Sequence, residues 1–363
     1  MKIKNNMFLL VTFLVFLLMH TVVIFWFCQN TAGFTLTAAT KFLPFILTVL
    51  YFGLYAFSRK ANIWPLENFL LTYLGALFLA FCLTFALITI TMLLKLFKVI
   101  LPFNLGFIAL GIWGIILLIS LYTAAKTPKV TEITFDAPHL KRDIKIAFVS
   151  DTHFGATVGI KRAENLKKIL EEQEPALILF GGDVFESDFE HSIPFAKILA
   201  KVPNKKFGVF GNHEYYQGLD NERASFKLAG INLLENKSDF FENINIIGIN
   251  DIRTARITKQ EFENILKQNI KPNNFNLLLT HTPLYFEEAA NLGIHLMLSG
   301  HNHNGQIWPF NFMVKMSNPY LYGLFSYEKA NLFVTSGTFF WGPPLRFLTN
   351  NEVTLIHLKG TEK

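Results

Sequence analysis

This sequence of 363 residues is poor in cysteine and in charged residues. Only two cysteines are present, Cys28 and Cys82, so neither a framework of several disulfide bonds nor a cysteine-ligated metal site can be built. Charged residues make up 17% of the chain and apolar residues 51%. This composition excludes a disordered or collagen-like polypeptide and disfavours an ordinary one-domain soluble enzyme.

An excess of positive charge is also missing from most of the chain. Residues 1–125 hold seven basic side chains and a single acidic one, Glu67. Of the 33 basic and 27 acidic residues in total, 26 of each therefore follow residue 125, and the net charge of +6 belongs to the first third. Because nucleic-acid binding needs a concentration of cationic side chains, we expect no nucleic-acid partner.

Four long apolar stretches predict helices that cross a lipid bilayer. A bilayer core about 30 Å thick needs roughly 20 apolar residues of helix. The stretches cover residues 7–27, 38–57, 69–94 and 100–122. A cleaved signal peptide is the alternative for the first stretch, because Lys2 and Lys4 precede it, but residues 25–27 are Phe-Trp-Phe rather than small. We expect an all-α transmembrane bundle of four helices over residues 1–125.

Basic residues in the short loops predict how this bundle is oriented. With the N-terminus inside, six basic residues lie on the inner side and three on the outer side, which matches the preference of Lys and Arg for the cytoplasm. The inner ones are Lys2, Lys4, Arg59, Lys60, Lys126 and Lys129, and the outer ones are Lys41, Lys95 and Lys98. We expect a multi-pass protein of the inner (plasma) membrane with its C-terminal domain in the cytoplasm.

An α/β domain is expected after the last span. Residues 126–143 would form a linker and a first strand, and residues 144–363 the domain itself. Short β-branched or apolar runs alternate there with amphipathic stretches, which predicts strands separated by helices in a largely parallel, layered arrangement. Five of the predicted strands are 144–150, 176–180, 206–210, 276–280 and 296–299.

Each of these five strands is followed by a cluster of Asp, Asn or His residues. The clusters are Asp151-Thr152-His153, Gly181-Gly182-Asp183, Gly211-Asn212-His213-Glu214, His281 and Gly300-His301-Asn302-His303. Because ligands bind at the carboxyl ends of strands in open α/β sheets, we expect the clusters to converge on one edge. Gly182, Gly211 and Gly300 are expected to let the backbone turn sharply out of each strand.

The donor types in these clusters predict a metal centre. Mixed imidazole and carboxylate ligands suit Mn, Fe or Zn and argue against an all-oxygen calcium site. Seven candidate ligands are too many for one tetrahedral ion. Two ions about 3.5–4 Å apart, bridged by one carboxylate, would use them all, and such pairs suit a displacement at phosphorus.

The clusters also resemble a known family. Asp-x-His, Gly-Gly-Asp, Gly-Asn-His-Glu, a lone His and Gly-His-x-His, in this order, are similar to the calcineurin-like metallophosphoesterases over roughly residues 130–358. Residues 215–216, 305–309 and 341–346 resemble the membrane-associated branch that includes the YkuE-type phosphoesterases. The resemblance implies two packed sheets flanked by helices, and a dinuclear, metal-dependent hydrolase of phosphate esters or diesters, with Mn the first ion to use in vitro.

The resemblance also implies roles for individual residues. One metal ion would be held by Asp151, His153 and His303, and the other by Asn212, His281 and His301. Asp183 would bridge the two ions. His213 stands outside the ligand set and would protonate or hydrogen-bond the leaving-group oxygen, and Glu214 would hold its tautomer.

The substrate is less well indicated than the metal ligands. Arg346 could anchor a phosphate through its planar guanidinium, and Asp251 could line the pocket, although a turn cap is the alternative for Asp251. Tethering to the lipid bilayer favours a phosphorylated lipid or lipid-linked substrate over a phosphorylated small molecule. The alternative functions are a non-catalytic metal-binding sensor or protein-interaction module on the same fold, and transport by the four helices.

Overall fold

The computed structural model describes residues 2–99, 105–186 and 188–360. It divides into two compact units. One reaches to Tyr122 and includes Gly342–Leu345, and the other begins at Thr123.

The first unit consists of four helices that are long and apolar enough to cross a membrane. They are α1 (Lys2–Gln29), α2 (Ala38–Lys60), α3 (Trp64–Leu96) and α4 (Leu105–Ala125). The most apolar stretch of each helix has a mean hydropathy between 1.5 and 2.7. The fourth predicted span begins at residue 100, and its residues 100–104 lie outside the described residues.

A buried histidine connects three of these helices. His20 on α1 places Nδ1 3.0 Å from the hydroxyl oxygen of Thr48 on α2, and Nε2 2.6 Å from the hydroxyl of Tyr73 on α3. A polar side chain inside an apolar bundle is stabilised by such interhelical hydrogen bonds. His20 therefore has a structural role between helices.

The second unit contains two six-stranded sheets. The first sheet comprises β1 (Lys129–Ala137), β2 (Ile144–Val149), β3 (Leu177–Phe180), β4 (Lys205–Gly208), β5 (Asn232–Leu233) and β12 (Glu352–Gly360). The second comprises β6 (Lys237–Phe241), β7 (Ile244–Ile249), β8 (Phe275–Thr280), β9 (Leu296–Ser299), β10 (Gly323–Tyr327) and β11 (Ala330–Val334). The helices are α5 (Ile160–Gln173), α6 (Phe189–Ala200), α7 (Asn212–Gln217), α8 (Leu219–Leu228), α9 (Lys259–Asn269), α10 (Phe286–Leu292) and α11 (Phe310–Ser317). A 3₁₀ turn covers His303–Gly305.

Both sheets are mostly parallel. The strand order is β1-β12-β2-β3-β4-β5 in the first sheet and β10-β11-β9-β8-β7-β6 in the second. The neighbouring pairs β2–β3, β3–β4 and β8–β9 run parallel, so their carboxyl ends lie on the same side. Antiparallel pairing occurs between β12 and β2 and in the hairpins at the edges of the second sheet.

Alternation of side chains along the strands builds the layers of this unit. On β2, Phe148 belongs to the core between the two sheets, whereas Val149 packs with residues of α5 and α6. On β8, Leu279 belongs to the core between the sheets and Leu278 packs with residues of α9 and α10. Strands buried on both faces need continuous apolar sequence, which these strands have. Two packed sheets flanked by helices are thus confirmed.

Candidate metal centre

The five polar clusters come together, but from two sheets rather than from one edge. Strands β2, β3 and β4 of the first sheet lead into the clusters at Asp151, Asp183 and Asn212. Strands β8 and β9 of the second sheet lead into His281 and His301. Packing the sheets face to face brings both sets of carboxyl ends to one buried site.

One group of possible ligands consists of Asp151, His153 and His303. Nε2 of His153 lies 3.1 Å from Nε2 of His303, which in turn lies 3.4 Å from Oδ1 of Asp151. All three side chains are buried, and one donor atom from each lies within 4.8 Å of the other two. Two imidazoles and a carboxylate at this spacing fit a borderline divalent ion.

A second group lies on the other side of Asp183. Nε2 of His281 is 3.1 Å from Oδ2 of Asp183 and 3.3 Å from Nδ1 of His301. The same nitrogen of His301 is 2.9 Å from the side-chain oxygen of Asn212. Because Oδ2 of Asp183 is also 3.8 Å from Nε2 of His153, this carboxylate stands between the two groups. The structure therefore brings all seven predicted ligands together.

The backbone is unusual at most of these residues. Asp151, His153, Asp183, His301 and His303 have φ angles between +44° and +72°, in the left-handed region. Residues other than glycine seldom adopt this conformation, and it is concentrated at functional sites where the surroundings impose it. The turns out of the strands bring these side chains close to one another.

Of the three glycines expected to permit sharp turns, only Gly182 has a positive φ, of +91°. A Cβ atom there would lie 2.6 Å from the backbone nitrogen of Gly211 and 2.9 Å from Nδ1 of His281. Gly211 and Gly300 are required for a different reason, because a Cβ atom would collide with the carboxylates of Asp183 and Asp151 respectively. Close approach of ligands to backbone explains these two positions.

His213 lies beside the ligands, and Glu186 holds it in place. Nε2 of His213 is 4.0 Å from Oδ2 of Asp183, while its Nδ1–H donates to Oε1 of Glu186 at 2.9 Å. The other oxygen of Glu186 accepts from Nδ1–H of His153 at 2.7 Å. One carboxylate thus sets the tautomer of both histidines. Sequence reasoning missed Glu186, although its position three residues after Asp183 was available as a signal.

Glu214 has a different contact from the expected one. Its carboxylate accepts hydrogen bonds from the backbone N–H groups of Gly211 at 2.7 Å, Val184 at 2.7 Å and Asp183 at 3.0 Å. It therefore ties the loop after β4 to the loop after β3, and the tautomer of His213 depends on Glu186 instead. Burial, together with the nearby Asp183 carboxylate, raises the pKa of Glu214 to about 7.

Opposite charges perturb the ionisation of the site. Burial disfavours the charged form of each group, yet His281 and His213 hold the pKa of Asp183 well below its usual range. Burial likewise opposes protonation of His213, but Asp183 and Glu186 raise its pKa to about 9. Burial and the neighbouring His281 lower the pKa of His301 to about 4. Bound cations would lower the histidine pKa values and so favour the unprotonated, ligating rings.

The two expected substrate residues are both fully buried. Arg346 donates through Nη1 to the backbone carbonyl of Asn350 at 2.8 Å and through Nη2 to that of Ser336 at 2.7 Å, and Nη2 also lies 3.4 Å from Nδ1 of His303. Asp251 accepts from the backbone N–H of Thr254 at 2.9 Å, which is the turn cap considered as its alternative role. Neither side chain is open to a ligand from solvent, because each is 0% exposed. Arg346 supports the loop that carries His303.

Comparison with known proteins finds relatives for this part of the chain. Residues 144–305 match the family model described as calcineurin-like phosphoesterase. An uncharacterized metallophosphoesterase of Campylobacter jejuni is 32% identical over 267 residues, which cover 71% of this chain and 70% of that protein.

Two further relatives are also named as metallophosphoesterases. A Bos taurus transmembrane protein with metallophosphoesterase domain is 27% identical, over 70% of this chain and 62% of that protein. The uncharacterized metallophosphoesterase YkuE of Bacillus subtilis is 25% identical, over 62% of this chain and 82% of that protein. The matched region thus spans between about three fifths and four fifths of each of these relatives.

Replacing Glu186 should weaken metal binding. In Glu186→Gln, Nδ1–H of His153 loses its carboxylate acceptor, and we expect the affinity for Mn²⁺ to fall roughly 10–100-fold, as for other partners of metal-ligating histidines. Equilibrium dialysis of the detergent-purified protein with metal analysis would measure this. Glu190→Gln, at an exposed position on α6, is the control. Unchanged affinity in Glu186→Gln would contradict the role of Glu186.

The same variant should also change the protonation of His213. A carboxylate favours the imidazolium, so its removal is expected to lower the pKa of His213, and the ring should lose its proton at lower pH than in the wild type. A ¹⁵N-histidine NMR titration of the metal-free protein, assigned with His213→Ala, would detect the shift.

Proposed function

We propose that this chain, which belongs to the calcineurin-like phosphoesterase family, is a membrane-anchored enzyme. Its proposed reaction is the hydrolysis of phosphate esters of a lipid-linked substrate. The motif resemblance to metallophosphoesterases, including the YkuE-type proteins, is confirmed by the relatives. Membership in this family makes the protein a metal-dependent phosphoesterase. The number and identity of the ions, the substrate and the orientation in the membrane are our proposals.

One observation supports the proposal above the others. Two groups of buried donor atoms are each compact enough for one ion, namely Asp151 with His153 and His303, and Asp151 with Asp183 and His281. The carboxylate of Asp183 lies between His153 and His281. A buried cluster of five histidines and two aspartates would be costly without cations to bind the unprotonated rings. The donor set therefore fits two divalent ions, with Mn, Fe or Zn preferred by its nitrogen and oxygen ligands.

The ions would supply the electrostatic part of the reaction. Two divalent cations lower the pKa of bound water and neutralise charge on the phosphate. The protein itself positions the remaining group, because the hydrogen bond from Nδ1–H of His213 to Glu186 leaves Nε2 facing Asp183. When the ring of His213 is doubly protonated, its Nε2–H can donate a proton or a hydrogen bond to the leaving-group oxygen.

Two aromatic side chains flank His213 and form the rim of the site. The rings of Tyr216 and Trp341 lie 5.3 Å and 5.5 Å from the imidazole ring, and both side chains are at least half exposed. Nε1–H of Trp341 donates to Glu186 at 3.2 Å, which fixes the position of its ring. An apolar rim beside the proton donor suits a leaving group with an apolar portion.

The attachment to the membrane supports a lipid-linked substrate. Helix α4 ends at Ala125 and β1 begins at Lys129, so three residues connect them and span about 11 Å at most. The phosphate of a lipid lies at the membrane surface, within reach of a domain attached by so short a connection. A water-soluble substrate offers no physical reason for four membrane helices.

The proposed reaction predicts metal-dependent hydrolysis by the detergent-purified full-length protein. With Mn²⁺ added, we expect hydrolysis of bis-p-nitrophenyl phosphate or p-nitrophenyl phosphate. Asp183→Asn should reduce the rate roughly 100-fold or more, since the shared carboxylate is lost. Asp220→Asn, whose carboxylate is exposed and pairs only with Arg223 among the described residues, should retain activity.

Metal analysis of the same samples separates the alternative function from the proposed one. Bound metal with no hydrolysis of either ester or of any lipid phosphate would favour a metal-binding sensor or protein-interaction module. Equal activity of Asp183→Asn and wild type would contradict the metal centre itself.

A lipid-linked substrate predicts a preference for long acyl chains. In mixed micelles, we expect kcat/KM for dioleoyl phosphatidic acid or dioleoyl phosphatidylglycerol to exceed that for the dibutanoyl form of the same compound by about tenfold, because binding of apolar groups adds to the affinity. Equal values, with full activity on water-soluble esters, would show a soluble substrate.

The proposed orientation places the C-terminal unit in the cytoplasm. Green fluorescent protein fused after the C-terminus should fluoresce in bacterial cells, whereas alkaline phosphatase fused at the same point should be inactive, because each folds only on one side of the membrane. The opposite pair of results would place the phosphoesterase unit outside and would contradict the distribution of basic loop residues.

A further inference from the structure

A concentrated apolar surface lies on the second unit, outside the metal centre. Nine of the twelve exposed large apolar side chains that the structure describes in this unit fall between residues 308 and 348. We call six of them the apolar face: Trp308, Phe310, Phe312, Met313, Met316 and Leu348. Met316 is 89% and Leu348 71% exposed. Monomeric soluble domains seldom expose such a concentration of large apolar residues without a function for it.

Helix α11, Phe310–Ser317, forms the centre of this face and buries none of its residues. Its sequence is Phe-Asn-Phe-Met-Val-Lys-Met-Ser, with Lys315 as the one charged residue. The surrounding stretch, 304–327, contains no acidic residue. Phe312, Met313 and Met316 on this helix are each at least 60% exposed, so burial within the unit contributes little stability through these side chains.

The apolar face is held in place by hydrogen bonds. The backbone N–H of Trp308 donates to the carbonyl of Phe347 at 3.1 Å, which sets Leu348 beside the start of α11. The hydroxyl of Thr349 donates to the carbonyl of Gln306 at 2.8 Å. The side chain of Gln306 both donates to and accepts from the backbone of Trp341, each at 2.9 Å. The exposed side chains thus stand on a fixed support.

The backbone at Leu348, within the apolar face, has a strained conformation. Its φ angle of +58° is rare for a large side chain and costs free energy. The conformation does not serve burial, because the side chain projects into solvent.

The composition of the face fits a lipid surface as its occupant. Helices that lie in a membrane interface carry aromatic and long aliphatic residues on one side, with Lys or Arg near the headgroups. The face has Trp308, two phenylalanines and two methionines, with Lys315 as its cation. A bilayer is also always near, because three residues connect α4 to β1. A protein partner would have to compete with that surface.

We propose that the apolar face inserts into the headgroup and acyl boundary of the bilayer that holds α1–α4. Insertion seats the metal centre at the lipid surface, because His303 precedes Trp308 by five residues and Gln306 links this segment to Trp341 on the rim. The inference concerns the surface of the second unit and does not depend on the identity of the substrate.

Spin labels on the full-length protein test the insertion. The background is Cys28→Ala with Cys82→Ala, and single labels are placed at Met316→Cys and at Phe312→Cys. The matched control is Phe240→Cys, an exposed aromatic position on β6, at the edge of the second sheet opposite β10. The protein is reconstituted in vesicles of phosphatidylethanolamine and phosphatidylglycerol, and accessibility to oxygen and to a water-soluble nickel complex is measured.

We expect both labels on α11 to be more accessible to oxygen and less accessible to nickel than the Phe240 label, at a depth of about 5–10 Å below the headgroups. High accessibility to nickel at both α11 positions would overturn the proposal. Low accessibility to both reagents, with spin–spin broadening that disappears on dilution with unlabelled protein, would show a second copy on the face and would also overturn it. Because depth is read from the label, the result stands whether or not a lipid phosphate is hydrolysed.

Discussion

The buried carboxylate of Asp183 is the group on which the arrangement of the second unit depends. It accepts from the backbone N–H of His213 at 2.9 Å, and it faces His281 at 3.1 Å and His153 at 3.8 Å. These partners come from strand ends of both sheets, so the sheets must pack at one register for the charge to be compensated. A buried anion without these neighbours would be destabilising. The apolar core between the sheets provides the rigidity that this geometry needs.

The parts of the fold that depend on local patterns could be predicted from the sequence. Apolar stretches of membrane-spanning length and alternating strands and helices are local signals, and the clusters at Asp151, Asp183 and His301 follow directly from strand ends. The division into two sheets is not local. Strand β12 inserts between β1 and β2, pairing Lys129 with Glu352, and no periodicity reveals such a pairing. The family resemblance indicated two packed sheets, but the pairing of β12 with β1 and β2 was not predicted.

The roles of individual site residues were less predictable where they depend on specific side-chain contacts. Glu186 carries no motif signal as strong as the flanking Gly-Gly-Asp, yet it hydrogen-bonds two histidines. Glu214 was assigned to the tautomer of His213, but its carboxylate accepts hydrogen bonds from three backbone N–H groups instead. Arg346 was expected at a phosphate and instead lies buried among backbone carbonyls. Side-chain direction and burial decide these roles, and both follow from tertiary packing rather than from residue type.

The short connection between α4 and β1 changes what the apolar face has to accomplish. A free domain that binds membranes must offset the loss of its translational and rotational freedom, which requires strong contacts. In the proposed arrangement the four anchoring helices would already have met that cost, and the connection of three residues would hold the second unit at an effective concentration in the millimolar range or above with respect to lipid. Weak, reversible insertion is then sufficient. Under this proposal the domain would leave and re-enter the surface quickly, and its search for a lipid-linked substrate would be diffusion in two dimensions.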